Sequence, residues 1–260
     1  MIWQLSQYVK HQWRAQGNHL LHSPFVFDFY RHALKAKRSA TVDAIAQFSK
    51  ELKRDKRSLT RTDFGAGHGG KGGGTYESSV AETARRSSRR RKEGALLHNL
   101  VKYYQPKRLL ELGTHLGISS LYQASALDDD AQLKTLEGDP ALAALAREHI
   151  QQFDFQQVEV IEGAFTETLP SLQMETYKPD FVFLDGDHRY QPTMDYVHAI
   201  LPHMPNESIL ILDDIYWSKG MAQAWEEVQT IPELTVTIDL FFFGVAFVKR
   251  PQKKQHFVLR

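Results

Sequence analysis

Cysteine is absent from the 260 residues, which excludes a disulfide framework and a thiolate zinc site and agrees with a reducing compartment. Long apolar runs are missing too. The longest apolar neighbourhood, Phe241 to Val248, falls far short of the roughly 20 residues that span a bilayer. The first 30 residues mix Lys10, Arg14, Asp28 and several histidines among apolar positions, which is not the pattern of a secretory leader. The expectation is a cytoplasmic protein with no membrane partner. At 42% hydrophobic and 24% charged, the chain is ordinary globular material, enough for a full core in one large α/β domain with N-terminal additions.

Charge of one sign is scarce in each half. The net charge of +1 divides into +14 over residues 1–108, with 22 Lys+Arg against 8 Asp+Glu, and −13 over 109–260, with 10 against 23. A basic front half suits an anionic partner, but opposite halves also attract each other within one chain, and that internal reading is preferred.

Apolar positions at helical spacing (Ile2, Leu5, Tyr8, Val9; then Phe25, Phe27, Phe29, Tyr30, Leu34), broken at His22-Ser23-Pro24, predict two or three helices over residues 1–60. His19, His22 and Ser23 read as a packed helix junction or as a lid. Residues 61–93 form a separate segment. Its stretch 63–75 is too glycine-rich for a regular element, and it nearly matches a phosphate-binding loop at Gly65, Gly70 and Lys71. Gly72 stands where the magnesium-holding hydroxyl is needed, and no buried strand precedes it, so that reading is rejected. The run Arg85 to Lys92 lacks aromatics for base stacking and reads as an exposed helix or arm.

From residue 94 to 260 the pattern is regular. Helices are predicted at 94–105, 119–127, 140–151, 191–202 and 219–229, and strands at 108–113, 132–137, 157–162, 180–185, 208–213, 234–240 and 243–249. Alternation of this kind gives a Rossmann-like seven-stranded, mostly parallel sheet. The last two strands are joined too tightly for a crossover helix, so the final strand is antiparallel.

In such a sheet ligands bind beyond the carboxyl ends of the strands. At the first strand's end, Gly113 allows a sharp turn, Gly117 allows close backbone approach, and Ser119 opens a helix whose free N–H groups suit a carboxylate or phosphate. Such a turn also serves packing alone. The Gly-x-x-x-Gly spacing lacks the third glycine of a dinucleotide fingerprint. Glu137 ends the second strand, where a carboxylate accepts hydrogen bonds from both ribose hydroxyls of a nucleoside, or else merely serves the Asp139-Pro140 helix start. The later strands end in Glu162-Gly163, in Asp185-Gly-Asp187-His188, and in Asp213-Asp214.

The sequence LELGTHLGISS, TLEGDP, FVFLDGDHRY and LILDDIYW, in that order and followed by an antiparallel pair, resembles the class I S-adenosylmethionine-dependent methyltransferases, most closely the cation-dependent O-methyltransferases of catechol-like acceptors. The likeness covers about 94–249; the residues before about 60 look like an extension found in a bacterial subgroup. It implies that Glu111, Gly113, Gly117 and Ser119 hold the amino-acid end of S-adenosylmethionine, Glu137 the ribose, and Gly163, Ala164 and Phe165 the adenine. By the same likeness Asp185 serves both cofactor and metal, and Asp185, Asp213 and Asp214 hold Mg²⁺ or another hard divalent cation. Asp214 departs from the family's Asn and adds a negative charge. His188 stands where the family has a proton-accepting lysine, and an imidazole can act as general base near neutral pH. Tyr190 and Trp217 either line the acceptor pocket or pack on the sheet. The implied partner is a small-molecule acceptor. Rival readings are a nucleic-acid methyltransferase using the basic half, an NAD-dependent oxidoreductase, and a cofactor-binding scaffold; oligomeric state is not legible.

Overall fold

Phe181–Leu184 and Ser208–Asp213 are buried from end to end, as strands covered on both faces must be. The computed structural model describes residues 2–17, 22–36, 39–62, 74–86, 91–248 and 253–260. The N-terminal part contains α1 (Ile2–Arg14), α2 (Pro24–Phe29, continued by a π-helical turn, Tyr30–Leu34), α3 (Ala40–Leu52), β1 (Ser58–Thr62), β2 (Thr75–Ser79), α4 (Val80–Arg86) and α5 (Arg91–Tyr104). There follow β3 (Arg108–Leu112), α6 (Ile118–Ala124), β4 (Gln132–Glu137), α7 (Pro140–Gln152), β5 (Val158–Glu162), α8 (Phe165–Ser171) and α9 (Met174–Tyr177). The rest is β6 (Phe181–Leu184), α10 (Tyr190–Ile200), β7 (Ser208–Asp213), α11 (Lys219–Val228), β8 (Leu234–Asp239), β9 (Phe243–Val248) and β10 (Gln255–Val258).

The strand order is β10-β8-β9-β7-β6-β3-β4-β5, with β1-β2 a separate two-stranded sheet. Strand β9 runs antiparallel to both β7 and β8, as the short connection requires; the pairs β4-β5, β6-β7 and β10-β8 are parallel. The sheet has eight strands where seven are expected. The addition, β10, is four residues of Gln-His-Phe-Val at the sheet's edge, mostly exposed, so it carries neither an apolar run nor alternation.

The chain divides into two compact units. One comprises Met1–Asp28, Arg108–Leu110 and Gln173–Arg260; the other comprises Phe29–Lys107 and Glu111–Leu172. Within the second unit, front-half cations meet back-half acids, as the internal reading of the charge split anticipates. Arg57 pairs with Glu148 at 2.9 Å, Arg61 with Asp139 at 2.9 Å, and Lys107 with Asp128 and Asp130 at 3.0 and 2.6 Å. The glycine segment 63–73, His19 and residues 87–90 of the arginine run lie outside the described residues. Of that run's flanks, Arg85 donates to the Lys53 carbonyl at 2.7 Å and Arg91 to Asp43 at 2.6 Å. His22 is exposed, and the Ser23 carbonyl accepts the Phe27 N–H at 2.9 Å, opening α2.

Helix α5 begins three residues earlier than the predicted 94, which places Gly94 inside it. A Cβ there would stand 2.1 to 2.5 Å from ring atoms of Tyr122, a side chain of α6 that is itself fully buried. Glycine is therefore kept against its poor helix propensity because the Tyr122 ring occupies the place of a Cβ. Gly94→Ala is expected to destabilise the protein by about 1 to 3 kcal/mol, read as a lower urea midpoint at unchanged m-value.

Candidate functional site

The candidate residues of each unit stand at or near the carboxyl ends of its strands. Four of the nine described non-glycine residues with positive φ stand there: His115 after β3, Asp187 after β6, Asp214 after β7 and Phe241 after β8. Backbone held in this region costs free energy and collects at functional turns.

In the Phe29–Leu172 unit, Gly113 leaves β3 at φ +102, a value that L side chains rarely adopt, and its N–H and that of Thr114 both donate to the Leu136 carbonyl at 3.0 and 3.1 Å. The turn off β3 is thereby fastened to the end of β4. Gly117 caps α6 at φ +77, and a Cβ there would meet Ala146 of α7 at 3.4 Å, so this glycine answers to backbone conformation and helix packing at once. Helix α6 has only seven residues, and Ser119 and Ser120 in its first turn are buried.

Glu137 ends β4 almost fully buried. Its Oε2 accepts the His115 N–H at 2.7 Å and its Oε1 the Asp139 N–H at 2.9 Å. Burial raises its pKa, while these two N–H groups pull the other way. The carboxylate thus joins the turn after β3 to the start of α7, and each oxygen keeps a further lone pair. The helix cap itself is Asp139, whose Oδ1 accepts from the N–H groups of Ala141 and Leu142, with Pro140 at the first helical position. Its Oδ2 takes Arg61 Nε at 2.9 Å and the Thr62 N–H at 3.1 Å, which ties β1 to this turn.

Glu111 has no solvent exposure. Its carboxylate accepts from Ser120 Oγ, from Gln123 Nε2 at 2.8 Å and from Thr135 Oγ1 at 2.7 Å, so it binds β3 to α6 and β4. Gly163 follows β5 at φ +137, and its N–H donates to the Glu137 carbonyl at 2.9 Å; Ala164 then caps α8, which begins at Phe165. The structure therefore brings Glu111, Gly113, Gly117, Ser119 and Glu137 to the turns around the ends of β3 and β4, with Gly163, Ala164 and Phe165 following β5.

His115 went unnoticed in the sequence, although it sits between the two cradle glycines. Burial, and secondarily the Arg61 charge, lower its pKa to about 3. His98 falls to about 4, chiefly by burial, and burial also lowers His149. A histidine with a depressed folded-state pKa stabilises the native protein fully above its unfolded value of about 6.5 and loses that contribution as pH falls toward the folded value. Urea unfolding should therefore show stability declining steadily from pH 6.5 to 4. A flat profile over that window would contradict the buried neutral state of these rings.

In the other unit, Asp185 follows β6 and Asp213 ends β7. Asp185, His188 and Asp213 each offer a ligand atom within 4.8 Å of the others, with Asp213 buried and the other two partly exposed. His188 Nε2 stands 3.8 Å from Asp185 Oδ1. Asp214 is not in this group; it takes a left-handed turn in which its N–H donates to the Phe242 carbonyl at 2.8 Å and its own carbonyl accepts from Trp217 at 2.7 Å. The two carboxylates are oxygen donors that fit a hard divalent cation, and the imidazole beside them is close enough to serve as a third ligand or as a base. Asp187, beside them, is held by Arg189. Tyr190 donates to Glu227, and Trp217 is well exposed.

Comparison with known proteins agrees with this architecture. Residues 110–215 match a family described as a methyltransferase domain. Solved structures superpose along nearly the whole chain: a putative O-methyltransferase from Klebsiella pneumoniae has a TM-score of 0.58 at 22% identity, covering 92% of this chain and 99% of that one. An O-methyltransferase from Bacillus cereus in complex with SAH has a TM-score of 0.58 at 19% identity, covering 85% and 97%. The chain has the class I methyltransferase fold. Among curated sequences, the chain is 39% identical over 118 residues to a transmembrane O-methyltransferase homolog of Rattus norvegicus, covering 43% of this chain and 46% of that protein. It is 33% identical over 125 residues to the catechol O-methyltransferase of Niastella koreensis, covering 47% and 56%. The chain thus spans about half the length of the curated relatives it matches. Among the described residues, no helix is long and apolar enough to cross a membrane.

Proposed function

We propose that the protein transfers the methyl group of S-adenosylmethionine to an oxygen of a small hydroxylated acceptor, with a divalent cation assisting, and that residues 94–260 carry the activity while 1–60 and 61–93 are additions. The observation that carries this reading is Glu137, buried at the end of β4 and held by two backbone N–H groups beside the glycine turn. Relatives and neighbours named as O-methyltransferases support it, as does the Bacillus cereus structure in complex with SAH.

S-adenosylmethionine supplies a methyl group on a sulfonium, open to in-line displacement. A divalent cation lowers the pKa of a hydroxyl bound to it. Glu137 would accept from the ribose hydroxyls with its remaining lone pairs. Glu111 acts through its neighbours, fixing Ser120 and hence the first turn of α6, from which Ser119 would hold the amino-acid end; Gly163, Ala164 and Phe165 would hold the adenine. Asp185 and Asp213 would supply the carboxylate ligands of the cation. His188 takes the acceptor's proton. No covalent enzyme intermediate is needed, since alignment of donor and acceptor alone supplies on the order of 7 to 11 kcal/mol. Against the nucleic-acid alternative, Arg57, Arg61 and Lys107 of the basic half are already paired with acids of the protein itself.

The test is transfer of labelled methyl from S-adenosylmethionine to a dihydroxylated phenol in the presence of Mg²⁺ or Mn²⁺. Label should appear on oxygen; transfer to RNA but not to any phenol would overturn the acceptor assignment. His188→Gln is expected to lower kcat by about 10² to 10⁴ with the activating cation concentration unchanged. A variant that instead needs far more cation at unaltered kcat makes His188 a ligand and not the base.

A further inference from the structure

Exposed apolar side chains are concentrated in one place. Among the described residues, Leu5, Tyr8, Val9, Trp13, Tyr103 and Trp217 are the large hydrophobics left exposed, and the first four lie on α1. Leu5, Val9 and Trp13 recur every fourth residue and so form one stripe, with 63%, 49% and 89% of their surfaces in water. Gln4, on the side of α1 away from the stripe, donates through Nε2 to the Trp217 carbonyl at 3.0 Å and so fastens the helix without adding Trp217 to that face. A monomeric surface rarely gathers its apolar residues in this way without a use for them.

The stripe is not the loose end of a frayed helix. His11, on the opposite side of α1, is buried with Nε2 3.3 Å from Asp239, and Asp239 also accepts from Tyr216 at 2.6 Å and from the Phe241 N–H at 2.8 Å. Tyr8 meets the Phe241 ring edge-on at 5.1 Å, and Gln16 bridges to Leu259. Anchored at several points along its length, α1 holds its outer face in a fixed orientation.

That face is cationic as well as apolar. Helix α1 has no acidic residue, and Lys10 and Arg14 are exposed one position beyond Val9 and Trp13. Two-fold pairing of the stripe with a second copy would set these cations against their counterparts with no acid on either helix to meet them. An anionic partner is favoured instead. Trp13, protruding almost entirely into solvent, asks for a surface that accepts an indole without a matching pocket, which the headgroup region of a bilayer provides.

We propose that α1 docks the protein on an anionic lipid surface, with Leu5, Val9 and Trp13 entering the headgroup boundary and Lys10 and Arg14 meeting lipid phosphates and carboxylates. The expectation of no membrane partner came from the missing span, and a helix lying in the interface needs none.

The test is co-sedimentation of the full chain with phosphatidylcholine vesicles with and without about one-third phosphatidylserine, at about 0.1 M ionic strength. Binding should require the anionic lipid and weaken with added salt. Lys10→Gln with Arg14→Gln should weaken it by roughly 30-fold, about fivefold per cation. Trp13→Ala, at a site too exposed to affect folding, should weaken it by about tenfold or more. The proposal is overturned by failure to sediment with anionic vesicles, by binding indifferent to Trp13→Ala, by equal binding to soluble polyglutamate, or by a dimer in sedimentation equilibrium that the same substitutions dissociate.

Discussion

Turnover of Asp213→Ala is expected to fall about 10³-fold in the presence of Mg²⁺ while affinity for S-adenosylhomocysteine stays within about threefold of wild type. Asp213 is the buried member of the group it forms with Asp185 and His188. Its loss removes one of two carboxylates from the proposed cation site, and a cation bound to a reacting oxygen supplies several kcal/mol, of which about 4 corresponds to this factor. Cofactor affinity should survive because Asp213 is not among the residues proposed to hold S-adenosylmethionine. Asp213→Asn, nearly the same shape, separates charge from packing: it should lose turnover while keeping the thermal midpoint. Full activity of either variant would remove the cation from the account.

The second large effect concerns Glu137. Glu137→Ala should weaken S-adenosylhomocysteine binding by at least about 100-fold, since hydrogen bonds to a charged group contribute about 1.5 to 3 kcal/mol each and two ribose hydroxyls are involved. The alanine also leaves the N–H groups of His115 and Asp139 without their present acceptor, so the turn after β3 and the start of α7 lose their common tie. Glu137→Gln keeps acceptor oxygen and bulk and should recover part of the affinity. If Glu137 served only the fold, the two variants would lose stability and bind whatever remained folded with unaltered affinity.

Much of the sheet could be read from the chain because buried strands announce themselves. Phe181–Leu184 and residues 209–212 are unbroken apolar runs, each followed by Asp, and the predicted strands from 108 to 249 fall within a residue or so of those observed. The hairpin β1-β2 could not be read in that way. Ser58–Thr62 and Thr75–Ser79 are largely exposed, pair across the intervening glycine segment, and are held in part by Ser58 and Thr60 donating to Glu77 at 3.2 and 2.6 Å. Polar strands of this kind have no period to detect. The short helices Phe165–Ser171 and Met174–Tyr177 and the edge strand Gln255–Val258 escaped for the related reason that four to seven residues are too few for a pattern.

For the site, the positions of the acids were legible because an α/β sheet gathers the ends of its strands, and a strand closing in Glu137, Asp185 or Asp213 can be seen in the sequence. Their partners were not. Arg61 reaches Asp139 across 78 residues, and Gln123 and Thr135 complete the shell of Glu111 from two different elements, associations set by tertiary folding and absent from local spacing. His188 was expected beside the cation as a base, and its place among the three mutually close ligand atoms is a distance that no spacing rule supplies.

The most direct measurement is a calorimetric titration of the whole chain with S-adenosylhomocysteine and, separately, with NAD, with and without Mg²⁺. The account predicts one molecule of S-adenosylhomocysteine bound per chain, little changed by Mg²⁺, lost on Glu137→Ala and kept on Asp213→Ala, with no heat from NAD. Binding of NAD in its place, or S-adenosylhomocysteine binding that Glu137→Ala leaves intact, would contradict it.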